Sequence, residues 1–200
     1  MPSAVRTPLL ALATAVVLVG CQRGPSEAQR LERLELRLQQ LEQRLNAPND
    51  VVCASDGSIY FTDLPRHKVY QITRQGQVRV VAEVESPNGV ALSANQQHLY
   101  IAGMKRPMVT VHKLDSDGKL QPGKDFAPLR VDGLKTDESG NVWMASGDGI
   151  EVYNKNAEPL GKLPVPERPS NCGFSGGALY ITAQKSVYQI QTKVSGTRTF

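Results

Sequence analysis

The sequence predicts an all-β fold, a β-propeller of about four blades preceded by a short coiled-coil-like helix, from three observations. Polar heads carrying Asn or Asp recur at Asn49-Asp50, Asn88-Gly89, Asp132-Gly133 and Asn171-Cys172, separated by 39, 44 and 39 residues. Each head precedes an apolar strand, a turn and a second strand built on an aromatic: Ile59-Tyr60-Phe61, Leu99-Tyr100-Ile101, Val142-Trp143-Met144 and Leu179-Tyr180-Ile181. Third strands even repeat in sequence, Val69-Tyr70-Gln71-Ile72 returning as Val187-Tyr188-Gln189-Ile190. A period of about 40 residues with several strands per unit is the mark of propeller blades.

The N-terminal segment reads differently. Arg6 precedes an apolar run from Pro8 to Val19 interrupted by Thr14, too short to span a bilayer but suited to a signal peptide over residues 1–20. Leu18-Val19-Gly20-Cys21 resembles a bacterial lipobox, in which Cys21 carries the lipid and opens the mature chain, residues 21–24 forming a lipidated linker. An ordinary secretory signal is the alternative. A lipid at Cys21 makes the membrane a partner, at about 0.8 kcal/mol per buried methylene. Gln22 in place of Asp favours the cell envelope's outer membrane, facing the periplasm.

Over residues 25–46, Leu31, Leu34, Leu38, Leu41 and Leu45 fall at a and d positions of an amphipathic helix, after a capping box of Ser26 and Gln29. With Leu31 at a, Arg30 and Arg37 occupy g while Glu35 and Glu42 occupy e, matched across a parallel pair. The seam is a route to a homo-oligomer through residues 25–46, or else a solvated stalk about 33 Å long.

The propeller domain is expected over residues 47–200. Its first blade runs through 51–54, 58–62, 68–73 and 77–82. The second uses 89–93, 98–102 and 108–114, then a looser stretch to Phe126; the third uses 134–137, 141–145, 150–154 and 160–165. The last offers 173–174, 178–182 and 186–191, with no clear fourth strand. Hairpins have their own turns, such as Ser55-Asp56-Gly57 and Glu138-Ser139-Gly140, so the polar heads are not needed for that job. Inner strands begin beside the central channel, where four oxygen-bearing heads suit a hard cation.

Charge and motifs narrow the function classes. The chain has 23 basic and 19 acidic residues; residues 1–20 hold one basic and no acidic residue, leaving 22 and 19, net +3. The charges are interleaved and no basic run or aromatic-basic stripe points to nucleic acid. Gly173-Phe174-Ser175-Gly176-Gly177 matches a nucleophile-elbow pattern, but a strand follows it and no His lies downstream, so it reads as a turn. Asp115-Ser116-Asp117-Gly118 lacks the remaining ligands of a calcium loop and reads as a hairpin tip. Cys53 and Cys172 form a disulfide if the first and last repeats are neighbours; two free thiols are the alternative.

The heads in their surroundings resemble one family. Asn46-Ala47-Pro48-Asn49-Asp50-Val51-Val52 with Asp56-Gly57-Ser58-Ile59-Tyr60-Phe61-Thr62-Asp63 is similar to the gluconolactonase/regucalcin-like propellers, the senescence marker protein-like family. So are Ser86-Pro87-Asn88-Gly89-Val90-Ala91, Asp132-Gly133-Leu134-Lys135 and Pro166-Glu167-Arg168-Pro169-Ser170-Asn171. The resemblance implies a six-bladed propeller with one divalent metal, calcium or zinc, that hydrolyses small sugar-lactone-like substrates. By position, it makes Asn88 and Asp132 metal ligands, Asp132 also the catalytic base, Asn49 a substrate-binding residue and Asn171 a supporting residue behind the ligands.

The departures matter. The family's metal-binding glutamate lies in an N-terminal blade that this sequence lacks, and six blades need about 240 residues where residues 48–200 supply 153. Ala47 stands where some members have a substrate-contacting arginine. Two functions follow: a membrane-anchored, divalent-metal-dependent lactone hydrolase, or a non-catalytic lipoprotein using a partial propeller and coiled-coil stalk for binding or assembly.

Overall fold

The computed structural model describes residues 31–32 and 45–198. The signal segment, Cys21 and most of the Leu-rich heptads lie outside the described residues. Leu31 and Glu32 are helical, but Leu45 and Asn46 are not, so the helix expected over 25–46 stops short of its C-terminal bound. The reason is local: the Asn46 and Ala47 amides donate to the two carboxylate oxygens of buried Asp63, at 2.8 and 3.2 Å, which commits this stretch to the first blade. The chain divides into two units, Met1–Leu45 and Asn46–Phe200. Among the described residues no helix is long and apolar enough to cross a membrane.

The second unit is a row of antiparallel meanders in a four-bladed propeller arrangement. Blade 1 comprises β1 (Pro48–Cys53), β2 (Ile59–Asp63), β3 (Lys68–Ile72) and β4 (Val78–Glu83). Blade 2 comprises β5 (Pro87–Leu92), β6 (His98–Gly103), β7 (Met108–Lys113) and β8 (Lys124–Ala127). Blade 3 comprises β9 (Val131–Thr136), β10 (Val142–Ser146), β11 (Gly149–Tyr153) and β12 (Pro159–Pro164). Blade 4 has three strands, β13 (Pro169–Ser175), β14 (Ala178–Ala183) and β15 (Val187–Gln191), as its sequence predicts. Inner strands are neighbours in order: β1 packs beside β5, β5 beside β9, and β9 beside β13.

The core is three slabs, one per blade junction, and strand alternation divides residues between them. In β5 and β6, Val90, Leu92, Leu99 and Ile101 face Val52, Tyr60 and Val69 of blade 1. Their neighbours Ala91, Tyr100 and Ala102 face Val131, Leu134, Val142 and Met144 of blade 3. Ala145, Ile150 and Val152 then meet Cys172, Leu179 and Ile181 of blade 4. Strands covered on both faces leave little room for polar alternates, and β5 and β6 of blade 2 are accordingly buried almost throughout. Burying each large aliphatic contributes roughly 1.5–3 kcal/mol relative to exposure. On blade 4, Leu179 and Ile181 are covered while Tyr180 between them is exposed.

After β15 the chain returns to earlier blades. The Glu138 amide donates to the Ser195 carbonyl and the Thr197 amide to the Thr136 carbonyl, both at 2.9 Å. The Thr197 hydroxyl donates to the Asp137 carbonyl at 3.0 Å, and the Gln96 side-chain amide to the Arg198 carbonyl at 3.3 Å. Gly196 lies so close to Phe174 that a Cβ there would stand 2.5 Å from the Phe174 Cβ. Blade 4 is thereby tied to blades 3 and 2.

Candidate active site at the bulged strand heads

The polar heads lie inside the inner strands, not before them. Each inner strand carries one extra residue at its head relative to its partner. Residues 49–50 face Thr62 alone, because Pro48 pairs with Asp63 and Val51 with Phe61. Likewise 88–89 face Ala102, and 132–133 face Ala145. In β13 the extra residue is Ser170, between the pairings of Pro169 and Asn171. Such bulges break the ladder and re-aim side chains, the usual device beside a functional site. The prolines that open three of these strands, Pro48, Pro87 and Pro169, stand at first-residue positions, where a proline is tolerated.

Hydroxyls take up the backbone groups that the bulges leave over. The Asp50 amide donates to Thr62 Oγ1 at 3.1 Å, and the Thr62 hydroxyl donates to the Asn88 carbonyl at 2.6 Å. In blade 4 the Thr182 hydroxyl donates to the Asn171 carbonyl. Glycines then let the heads approach each other. A Cβ on Gly89 would stand 2.6 Å from the Asp132 carbonyl oxygen, and a Cβ on Gly133 would stand 2.2 Å from Asn171 Cγ. The heads of β5, β9 and β13 are therefore in contact in sequence.

Of the expected site residues, Asn88 is buried, and its Oδ1 is the buried side-chain oxygen without a hydrogen-bond partner among the described residues. An acceptor left unpaired in that way costs about 1–3 kcal/mol unless something donates to it or binds it. Asp132 is half-buried and lines a cleft of about 370 Å³ with Arg168, Pro169, Ser170, Ala183 and Gln184. Asn171 packs its amide over Gly133 while its Oδ1 accepts from the Cys172 amide at 2.8 Å, beside the Asp132 head. Asn49 is exposed, and its side chain makes no hydrogen bond to a described residue.

Three further residues shape the site. Asp50 accepts from the Val90 amide at 3.0 Å, which fastens the first head to the strand of Asn88. Lys135 brings its Nζ to 3.8 Å from the same Asp50 oxygen and donates to the Leu134 carbonyl. Arg168 stands on the lip of the cleft. Comparing repeats reveals the first two: Asp50 aligns with Gly89, Gly133 and Cys172, and Lys135 with Val52, Ala91 and Phe174. Each is a charge where the other blades have small or apolar residues. Arg168 lies outside the repeated heads and carries no comparable signal.

Cys172 lies among these groups. Burial pushes its thiol up to about 12, with the Lys135 ammonium pulling down and the Asp50 carboxylate pushing up. Cys53 and Cys172 are both free thiols. Ser175 ends β13 and Gly176 and Gly177 form a positive-φ turn into β14, so the apparent nucleophile elbow is a hairpin. At the other hairpin tip, Asp115 Oδ1 accepts from the Asp117 and Lys119 amides.

Among the described residues no group of three or more His, Cys, Asp or Glu side chains is placed to hold a metal ion. The candidate ligands on adjoining heads are amide and carboxylate oxygens: the unpartnered Asn88 Oδ1 on one and the side chain of Asp132 on the other. That set fits a hard, oxygen-liganded cation with water completing the shell, and it lacks the nitrogen and sulfur ligands that a structural zinc favours.

Comparison with known proteins identifies the family. Residues 4–185 match the family described as the SMP-30/gluconolactonase/LRE-like region. The gluconolactonase of Zymomonas mobilis is 30% identical over 187 residues, covering 76% of this chain and 52% of that protein. The pentonolactonase of Haloferax volcanii is 24% identical, covering 67% and 52%. A solved gluconolactonase from Xanthomonas campestris superposes with a TM-score of 0.69 at 30% identity, covering 76% of this chain and 58% of that one. A calcium-binding regucalcin from Agrobacterium tumefaciens shares the fold at 17% identity and a TM-score of 0.66, covering 74% and 62%. The chain spans about half the length of the curated relatives it matches. With this match running through both the blades and the heads, the chain belongs to the SMP-30/gluconolactonase/LRE-like family.

Proposed function

We propose that this protein is a divalent-metal-dependent lactone hydrolase, carried on the membrane by a lipid at Cys21. The observation that carries the reading is the buried, unpartnered Asn88 Oδ1 on a bulged head adjoining that of Asp132, whose carboxylate faces a cleft. Relatives bear the names gluconolactonase, pentonolactonase and lactonase, which supports a small sugar lactone as substrate.

In this reading Asn88 and Asp132 hold the ion, calcium before zinc on the chemistry of their oxygens. When bound, the ion supplies positive charge that polarises the lactone carbonyl and steadies the oxyanion. Asp132 has two carboxylate oxygens and takes the proton of the attacking water as general base. Water adds to the carbonyl carbon, the ring C–O bond breaks, and the ring oxygen leaves as a hydroxyl with a proton returned from Asp132. The product is the open-chain hydroxy acid, released as its anion plus a proton. Asn49, exposed at the first head, offers its amide to the sugar hydroxyls. Asn171 holds the Asp132 backbone from behind through its packing on Gly133.

The test is a pH-stat assay of aldonolactone hydrolysis with added calcium. The wild-type chain is expected to release acid above the spontaneous rate, and Asp132→Asn to lose it by roughly 100-fold or more. Equal rates for the two proteins would refute the assignment of Asp132. A second reading, a binding or assembly lipoprotein without catalysis, is favoured by one observation: among the described residues no group of three or more His, Cys, Asp or Glu side chains is placed to hold a metal ion. Anchoring rests on the sequence around Cys21, and Cys21→Ser should move the protein from the detergent to the aqueous phase in phase partitioning.

A further inference from the structure

Asp132 and Arg168 line the same cleft, yet they do not pair. Neither side chain has a hydrogen bond or ion pair to a described residue, although their charges are opposite and they share about 370 Å³ of open volume. That volume is within the usual range of small-molecule sites, about 300–1,000 Å³. The unpaired guanidinium is thus open to an anionic group on a molecule that enters the cleft.

The backbone carrying Arg168 is fixed while its guanidinium is not. Glu167 accepts from the Lys185 amide at 2.9 Å and from the Ser186 hydroxyl at 3.1 Å, binding the loop to the β14–β15 turn. Pro169 on the other side is buried and starts β13. Glu167, the nearest carboxylate in sequence, is thereby engaged and does not neutralise Arg168. The remaining lining groups, Ser170, Ala183 and Gln184, are uncharged.

We propose that Arg168 is a specificity residue that selects lactones bearing an anionic substituent, a carboxylate or a phosphate, remote from the lactone carbonyl. The proposal rests on the hydrolase reading and deepens it by naming the substrate class. Arg168 on the lip attracts the anionic group, so a charged substrate is held there with its carbonyl toward Asp132. A guanidinium forks its donors onto either oxyanion, so both sources share one recognition chemistry. A neutral lactone loses this orienting contact.

Hydrolysis by the full chain with calcium is compared for D-glucono-1,5-lactone, D-glucaro-1,4-lactone and 6-phospho-D-glucono-1,5-lactone. We expect kcat/KM to favour the anionic lactones roughly 10- to 100-fold, carried mainly by KM. Arg168→Gln should bring the ratio of anionic to neutral toward one, and Arg168→Lys should restore part of it. Preference for only one of the charged lactones supports the proposal and identifies the source of the charge. Hydrolysis of all three with equal efficiency, or a ratio that Arg168→Gln leaves unchanged, overturns the proposal while the hydrolase reading stands. If no lactone is turned over, the hydrolase reading falls, and calorimetry with glucarate and 6-phosphogluconate decides the rest. Binding roughly tenfold or more tighter to wild type than to Arg168→Gln upholds an anion site there; equal or absent binding ends it.

Discussion

Lys135 on the inner strand of blade 3 reaches to 3.8 Å from Asp50 on the inner strand of blade 1, past the strand of blade 2 between them. The same Asp50 oxygen accepts from the Val90 amide on that intervening strand. One carboxylate thus joins three blades at the level of the bulged heads. The Asp50 side chain is 11% exposed and that of Lys135 31%, so the pair is screened less than a surface ion pair but still feels solvent.

Truncating Asp50 should therefore cost more than deleting its charge. Asp50→Ala leaves the Val90 amide without its acceptor and is expected to lower stability by about 1–3 kcal/mol. Asp50→Asn keeps an oxygen there and should cost less. A double-mutant cycle with Lys135→Met, read from denaturant midpoints, is expected to give a coupling of about 0.5–1 kcal/mol. Strict additivity would mean that the two groups do not interact.

The two described cysteines should differ in reactivity. Cys172 is buried with its thiol pushed up to about 12, and Cys53, also raised by burial, is only partly covered. At neutral pH in the folded protein, peptide mapping after alkylation should find Cys172 labelled roughly 100-fold more slowly than in denaturant. Cys53 should label faster than Cys172. Rapid native labelling of Cys172 would place it outside the blade 3–4 core.

His112 makes stability fall on the acid side. Its ring is buried, accepting or donating between Thr110 and the Gln121 carbonyl, and burial lowers its pKa from the ordinary 6.5. As pH falls below about 6.5 the unfolded chain takes up this proton before the folded one does. The stabilisation is therefore complete above that pH and is lost as pH drops toward the folded value. His112→Gln should flatten the decline in denaturant midpoint between neutral pH and pH of about 5. An unchanged slope would assign the decline to other groups.

The segment after β15 ties blade 4 to blades 3 and 2 through the Glu138, Thr197 and Gln96 hydrogen bonds. Removing residues 195–200 should cost about 2 kcal/mol, or roughly 4–8 °C in Tm, with the fold retained by circular dichroism. A Tm within a degree of the full chain would show that the tail contributes nothing.

Blade number and strand order were legible in the sequence because every second strand is an aromatic-centred apolar run and several hairpin tips, such as Asp56-Gly57 and Asp117-Gly118, carry Asx-Gly chemistry. Ser58, for example, donates its amide to Asp56, and Lys119 does the same to Asp115. The inner strands begin two to four residues earlier than expected, because the heads look like turns and only the pairing shows them as bulges. Asn88 and Asp132 stood out by recurrence. Lys135 and Asp50 were equally visible as exceptions to that recurrence, but an apolar pattern does not say which exceptions meet. Arg168 gave no such sign, since its placement beside Asp132 depends on how blade 4 packs on blade 3.

The proposal that Asn88 and Asp132 hold one cation is tested most directly by calorimetric titration of calcium into the wild-type chain, Asn88→Ala and Asp132→Asn. Binding at one site is expected for the wild type, with a Tm that rises with calcium concentration. Both substitutions should weaken that binding by roughly tenfold or more. Identical calcium isotherms for all three proteins would contradict the account.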